Sequence, residues 1–138
     1  MKNLFLLLFI LISLQAYGQS DLDGITSAVN DYIEGTANGE PERLRRSFHP
    51  EFNLYHVGQD TVRIWSGEQY ISNITPGKKS NRVGRIVSMD YEGNAATAKV
   101  EILMPARKRI YIDYLLLLKY QGSWKIIQKS FTYRNYPE

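Results

Sequence analysis

Cysteine is absent from the 138-residue sequence. Disulfide bonds and thiolate chemistry are therefore excluded, and packing alone must stabilise the folded chain. The absence also excludes a lipid-modified cysteine near the N-terminus. We read the chain as one domain by its length, with enough residues for a single hydrophobic core.

A strong excess of charge of one sign is also missing. Lys and Arg number 17 against 14 Asp and Glu, a net charge of +3. This balance is too even for a nucleic-acid-binding protein, which needs a clustered basic face. The basic stretches Lys78-Lys79 and Arg107 to Arg109 lie at predicted turns, where solvent is the expected surrounding. We expect no nucleic-acid partner.

Histidine is scarce, with only His49 and His56. Neither has a carboxylate at the spacing that metal sites use, so no metal site is predicted. The sequence also has no Ser-His-Asp order and no glycine-rich phosphate-binding loop. We therefore predict no cofactor.

Long apolar runs are absent except for Leu4 to Leu14. This run follows a positively charged start and precedes the small residues Ala16 and Gly18, which is the pattern of a secretory signal peptide. It is shorter than the roughly 20 residues of a membrane-spanning helix. The sequence predicts a signal peptide over residues 1–18 and an exported domain over 19–138, periplasmic or secreted, with no membrane association after cleavage.

The rest of the chain divides into helices first and strands later. The order read from the sequence is helix, helix, two short strands, a third helix after the capping box Ser66 to Gln69, and a four-stranded meander from Arg82 onward. Helices followed by a run of strands indicate the α+β class rather than a parallel α/β fold.

The strand predicted over residues 109–120 is apolar on both faces. Helices can cover one face, but the other face needs its own cover, because an antiparallel sheet with one solvated face alternates cleanly. A second subunit is the economical cover. The sequence therefore predicts a homodimer through the sheet face.

Two segments carry a family resemblance. "VNDYIEGTANGEPERLRRSFHPEF" and "IDYLLLLKYQGSWKIIQKSF" resemble the nuclear transport factor 2-like superfamily, and within it the exported group called "putative lumazine-binding". The resemblance implies a cone in which three N-terminal helices pack into a strongly curved antiparallel sheet, with a cavity at the wide end. Ketosteroid isomerase, scytalone dehydratase and SnoaL-type cyclases share that fold, alongside many proteins of unknown activity.

Asp113 is the most unusual residue, a carboxylate among Ile110, Tyr111, Ile112 and Tyr114. A buried carboxylate must be paired, hydrogen-bonded or protonated. One interpretation is a structural anion that binds loop amides or a base such as Arg85, Lys99 or Lys129. The other is a cavity acid flanked by tyrosine hydroxyls, analogous to the Tyr and protonated Asp of ketosteroid isomerase.

Both histidines have two interpretations. His49 is predicted at the end of the second helix, where the helix dipole favours a cation, and it could also serve as a base at the cavity mouth. His56 is predicted in a short strand and could face the cavity or solvent. The high tyrosine content adds candidate ligand-binding residues, since amphipathic rings line pockets. The full set of candidates is Tyr32, Tyr55, His56, Trp65, Tyr111 and Asp113.

Three functional hypotheses remain. The leading one is an exported domain that binds a small apolar or aromatic molecule in the cone. The second is a cofactor-independent isomerase, dehydratase or hydrolase that uses Asp113 and His49 as catalytic acid and base. The third is a protein-interaction module with a vestigial cavity.

Overall fold

A computed structural model of the chain describes residues 21–136. The predicted signal peptide lies outside the described residues. The first helix, α1, spans residues 21–38, and its buried face repeats every three or four residues through Ile25, Val29, Tyr32 and Ile33. Gly39 follows at φ +67°, a left-handed conformation typical of the residue that ends a helix.

Two short helices and a hairpin come next. Helix α2, Pro41–Ser47, begins with proline in its first turn, and strands β1, Phe48–Gly58, and β2, Thr61–Ser66, form an antiparallel pair. Helix α3, Gly67–Ser72, starts with the predicted capping box. The expectation of three N-terminal helices holds only in part: among residues 21–136 α1 is the one long helix, α2 and α3 have seven and six residues, and α3 follows the β1–β2 hairpin.

The second half of the chain is strand. Its elements are β3, Val83–Glu92; β4, Ala95–Met104; a 3-10 turn, Pro105–Arg107; β5, Arg109–Tyr120; and β6, Ser123–Asn135. These four strands form the predicted meander. The predicted α+β class and the order of elements are therefore confirmed.

The six strands form one sheet in the order β2-β1-β6-β5-β4-β3. Among the described strands, the expected antiparallel pairing is found for four of the five strand pairs, whereas β1 and β6 pair in parallel. A tight turn forces two consecutive strands to be antiparallel, but it sets no direction between β1 and β6, which are distant in sequence. That pair is decided only when the hairpin and the meander meet.

The sheet is bent by irregular pairing. Register shifts interrupt the β3–β4 pairing between Ile86 and Ser88 and the β5–β6 pairing between Leu116 and Leu117. Such bulges bend a strand and increase its twist. Helix α1 fills the concave side so closely that a Cβ on Gly84 would lie 2.5 Å from Cγ2 of Ile33. The core lies between α1 and this concave face.

The other face of the sheet is exposed along its central strand. Tyr114, Leu116 and Leu118 are 51%, 42% and 40% exposed, and they alternate with the buried Asp113, Leu115 and Leu117. The two-sided apolar character of β5 is thus present. Within residues 21–136, no helix is long and apolar enough to span a membrane.

Candidate functional site

A cavity of about 430 Å³ opens at one end of the concave face. Its lining comes from helices α1 and α3, from strands β1, β2, β4, β5 and β6, and from the segments next to them. Its lining combines aromatic rings, aliphatic side chains and charged groups: Tyr32, Leu54, His56, Trp65, Tyr70, Asn73, Ile74, Arg82, Ile102, Met104, Arg107, Arg109, Tyr111, Asp113, Lys129, Phe131 and Tyr133.

Three buried polar side chains meet at the inner end of this cavity, and we call them the buried triad: Tyr32, Asp113 and Lys129. They are 2%, 1% and 5% exposed. The Tyr32 hydroxyl donates to Oδ2 of Asp113 at 2.6 Å, and Nζ of Lys129 donates to the Tyr32 oxygen at 2.8 Å. The same Nζ lies 3.5 Å from Oδ2 of Asp113. Asp113 is therefore both paired with Lys129 and part of the cavity lining.

Each member of the buried triad interacts electrostatically with a neighbouring side chain. Burial, and then the nearby negative charge of Asp113, raise the pKa of Tyr32 well above its ordinary value, so its hydroxyl remains a donor. The Lys129 ammonium also lies 4.9, 5.1 and 5.0 Å from the ring centres of Tyr32, Tyr70 and Phe131. Ring faces attract cations, and this attraction grows when water is excluded.

Three buried polar atoms in the described part of the chain have no hydrogen-bond partner: Oδ1 of Asp113, Nδ1 of His56 and Nε of Arg82. All three belong to residues that line the cavity. An unmade hydrogen bond on a buried group costs about 1–3 kcal/mol, so native proteins rarely keep one without a reason. The three atoms are therefore gathered around one cavity.

The opposite, outer end of the cavity is basic, and we call Arg82, Arg107 and Arg109 the arginine rim. Arg107 and Arg109 donate to the Tyr111 hydroxyl at 3.3 and 3.4 Å. Burial raises the pKa of Tyr111, but the two arginine hydrogen bonds outweigh it, and the net pKa is lowered. The Arg109 guanidinium also lies 3.9 Å from the ring centre of Tyr133.

Most of the candidate residues from the sequence line the cavity: Tyr32, His56, Trp65, Tyr111 and Asp113. Tyr55 does not, because β1 alternates and its neighbours Leu54 and His56 face inward. The role of these residues in binding stays a prediction.

His49 lies elsewhere. It is in β1 and not at the end of α2, because Phe48 already has an extended backbone at φ −87° and ψ 144°. Its Nδ1 accepts from the Glu51 amide at 3.1 Å, and its ring meets Tyr120 edge-on at 4.9 Å. It does not line the cavity, and its role as a catalytic base stays a prediction.

Sequence reasoning gave Lys129 only as one of several partners for Asp113 and missed the arginine rim. Strict alternation in β6 would turn Lys129 away from the face of Trp124 and Ile126. The pairing of Leu116 with Gln128 and of Leu117 with Ile126 leaves Ile127 without a partner, and this extra residue restores Lys129 to the inner face. No local sequence signal marks that bulge.

No cluster of three or more His, Asp or Glu side chains suited to a metal ion occurs between residues 21 and 136.

Similar proteins place the fold firmly. An NTF-2 like protein of unknown function from Silicibacter pomeroyi superposes with a TM-score of 0.74 at 20% identity, covering 85% of this chain and 98% of its own. An NTF2-like protein of unknown function from Methylobacillus flagellatus gives 0.72 at 26% identity, covering 83% and 93%. Aldolase FrzH from Cladobotryum sp is 24% identical over 121 residues, which are 86% of this chain and 94% of that protein.

The family model described as "Putative lumazine-binding" matches residues 20–132. That match spans most of the chain and agrees with the sheet and helix arrangement of the NTF2-like structures. The chain therefore belongs to the "putative lumazine-binding" family of the nuclear transport factor 2-like superfamily.

Proposed function

We propose that this protein is exported and binds a small, partly apolar molecule in the cavity. The unpaired Oδ1 of the fully buried Asp113 is the observation that carries the proposal. It supports a ligand because a polar partner for that atom must come from within the cavity. The volume of about 430 Å³ is within the usual range for ligand pockets, roughly 300–1,000 Å³.

Aromatic side chains support the same proposal. Trp65, Tyr70, Phe131 and Tyr133 give the cavity large apolar surfaces, while Asp113 and its partners give it a few fixed polar groups. Ligand sites combine a mostly apolar wall with a small number of oriented polar contacts in this way. A vestigial cavity would instead be filled by its own side chains.

The test is recovery of a bound molecule. The 138-residue sequence is expressed in an exporting bacterial host, and the protein from the periplasm or medium is denatured and its extract analysed by mass spectrometry. We expect a small molecule that is absent from the variant Met104→Trp, in which the half-buried Met104 is replaced by a bulkier ring that fills the cavity. Identical extracts from both folded proteins would contradict the proposal. The mass of the intact exported protein also tests cleavage before Gln19.

Proton transfer is the second candidate function. The name of the relative Aldolase FrzH favours it, since aldol reactions begin with removal of a proton beside a carbonyl group. In this version Oδ1 of Asp113 takes the proton, the C–H electron pair becomes the enolate, and Lys129 at 3.5 Å provides the counter-charge for the carboxylate. His49 has no part in it.

Deuterium exchange tests the second candidate. Phenylacetone in D₂O is followed by NMR with wild type and with Asp113→Asn. We expect the α-hydrogen signal to disappear faster with wild type than with Asp113→Asn, because the Asn side chain has no basic oxygen. Equal rates would remove the enzymatic version and leave the binding proposal unchanged.

We also propose that a second copy of the chain covers the outer face of β5. Tyr114, Leu116 and Leu118 form an exposed apolar row on a central strand, which supports an interface rather than a solvated face. We expect a dimer by light scattering at micromolar concentration and a monomer for Leu116→Glu, because a charge in the middle of the row cannot be desolvated cheaply. A wild-type monomer would contradict this proposal.

A further inference from the structure

The arginine rim is a set of cations without a carboxylate partner among residues 21–136. None of Arg82, Arg107 and Arg109 forms a salt bridge with a carboxylate of residues 21–136, whereas Arg43, Arg46, Arg85 and Arg134 do. Arg82 is the sharpest case, because its Nε is buried and has no hydrogen-bond acceptor. Arg82 lines the cavity, so its acceptor can come from the cavity contents.

The charge of the cavity lining is concentrated and positive. Four of its residues are cationic, the arginine rim and Lys129, and Asp113 is its single acid. This surplus equals the net charge of +3 for the entire chain. A concave surface with one sign of charge focuses the field and attracts ligands of opposite sign.

The two polar ends of the cavity are separated along β5. Arg109, Tyr111 and Asp113 are on the same face, and the four residue-to-residue steps from 109 to 113 span about 13 Å at the rise of a strand. The acceptor Oδ1 of Asp113 is at the inner end and the rim donors are at the outer end. Aromatic rings occupy the space between them, including Tyr111, Phe131 and Tyr133.

We propose that the ligand is an aromatic molecule with an oxyanion for the arginine rim at one end and a hydrogen-bond donor for Asp113 at the other. This inference rests on the proposed binding function and specifies its ligand class. The planar guanidinium fork matches a carboxylate or phosphate in two parallel hydrogen bonds, which fixes orientation as well as affinity. The donor end then enters first and meets Oδ1.

Four probes and two variants test this class by calorimetry on the exported protein. 4-Hydroxycinnamate has both ends, its methyl ester lacks the anion, 4-methoxycinnamate lacks the donor, and 4-hydroxybenzylphosphonate replaces the carboxylate by a phosphate analogue. We expect the acid to bind at least tenfold more tightly than the ester and several-fold more tightly than the methoxy compound. The tighter of the carboxylate and the phosphonate identifies the natural oxyanion.

The variants locate the effect. Arg82→Gln should weaken binding of the acid about tenfold and leave the ester unchanged. Arg134→Gln removes the same charge from a residue paired with Glu101 outside the cavity and should change neither. The preference for the acid should also decrease with added salt.

Each other outcome overturns the inference. If the acid and the ester bind equally tightly, or if the acid binds Arg82→Gln as tightly as wild type, the arginine rim does not bind an anion. Binding of the ester would still support a ligand cavity. Equal affinity for 4-hydroxycinnamate and 4-methoxycinnamate would show that the ligand needs no hydrogen-bond donor for Asp113. If no probe binds at millimolar concentration, this ligand class is wrong, and extraction of the native ligand decides the proposed function independently.

Discussion

Asp113 and Asp31 are both carboxylates with cationic partners, but their environments differ. Asp31 on α1 bonds through both oxygens to Arg43 at 2.7 Å and Arg46 at 2.9 Å, near the surface. Within the described part of the chain, Asp113 has one cationic partner, Lys129 at 3.5 Å, and its Oδ1 has no hydrogen-bond partner. The saturated carboxylate stabilises local structure, whereas the unsaturated buried one has capacity left for a ligand.

The largest effect is expected for Lys129→Met. The substitution leaves the carboxylate of Asp113 buried with only the Tyr32 hydroxyl, and removing one partner of a buried ion pair costs about 3–5 kcal/mol. Chemical denaturation at pH 7 measures the free energy of unfolding. Lys99→Met on the outer face is the control, since the Lys99 ammonium lies 5.6 Å from the Tyr114 ring centre and forms no salt bridge with a carboxylate of residues 21–136, so its loss should cost little.

Asp113→Asn is expected to follow, with a loss of about 3 kcal/mol because the Lys129 ammonium loses its counter-charge. The double variant Asp113→Asn with Lys129→Met should be more stable than Lys129→Met alone, as no charge is then left unpaired. A melting temperature of Asp113→Asn equal to wild type at pH 7 would show that the pair contributes nothing. It would return Asp113 to the role of a simple cavity acid.

Asp31→Asn should cost less, about 1 kcal/mol, since Arg46 is largely exposed and solvent screens the pair. Burial raises the pKa of Asp31, but hydrogen bonds from Arg46 and Arg43 outweigh it, and the net pKa is lowered. A depressed folded-state pKa contributes stability above the unfolded value of about 3.9, and this is lost as pH falls through the folded value.

The pH dependence of unfolding checks the Asp31 prediction. The difference between wild type and Asp31→Asn should be full at pH 6 and should be lost as pH falls through the lowered folded-state pKa of Asp31. A difference that persists unchanged to acid pH would show that lost packing, and not lost charge, is responsible.

The smallest effect is expected for Tyr111→Phe. The Tyr111 hydroxyl accepts from Arg107 and Arg109 over 3.3 and 3.4 Å in a half-exposed setting, so its removal should cost about 0.5–1 kcal/mol. It should nevertheless change ligand affinity, because it releases two rim arginines. If Tyr111→Phe binds every probe with unchanged affinity, the arginine rim does not take part in binding.

Sequence patterns decided much of this protein. Apolar spacing in residues 21–38 specified α1, Pro41 the start of α2, Ser66 and Gln69 the cap of α3, and clean alternation the buried face of β4. Each of these is a local preference, set by a turn, a cap or a period, and therefore visible in neighbouring residues. The unusual position of Asp113 was visible for the same reason.

Only the tertiary structure decided the rest. The parallel β1–β6 pair joins strands distant in sequence, the bulge at Ile127 turns Lys129 toward Asp113, and the last turn of α2 gives way to strand before His49. The arginine rim likewise assembles from a residue before β3 and two others around the turn into β5. These outcomes depend on which long-range pairings bury the most surface, a property of the whole sheet that no short segment encodes.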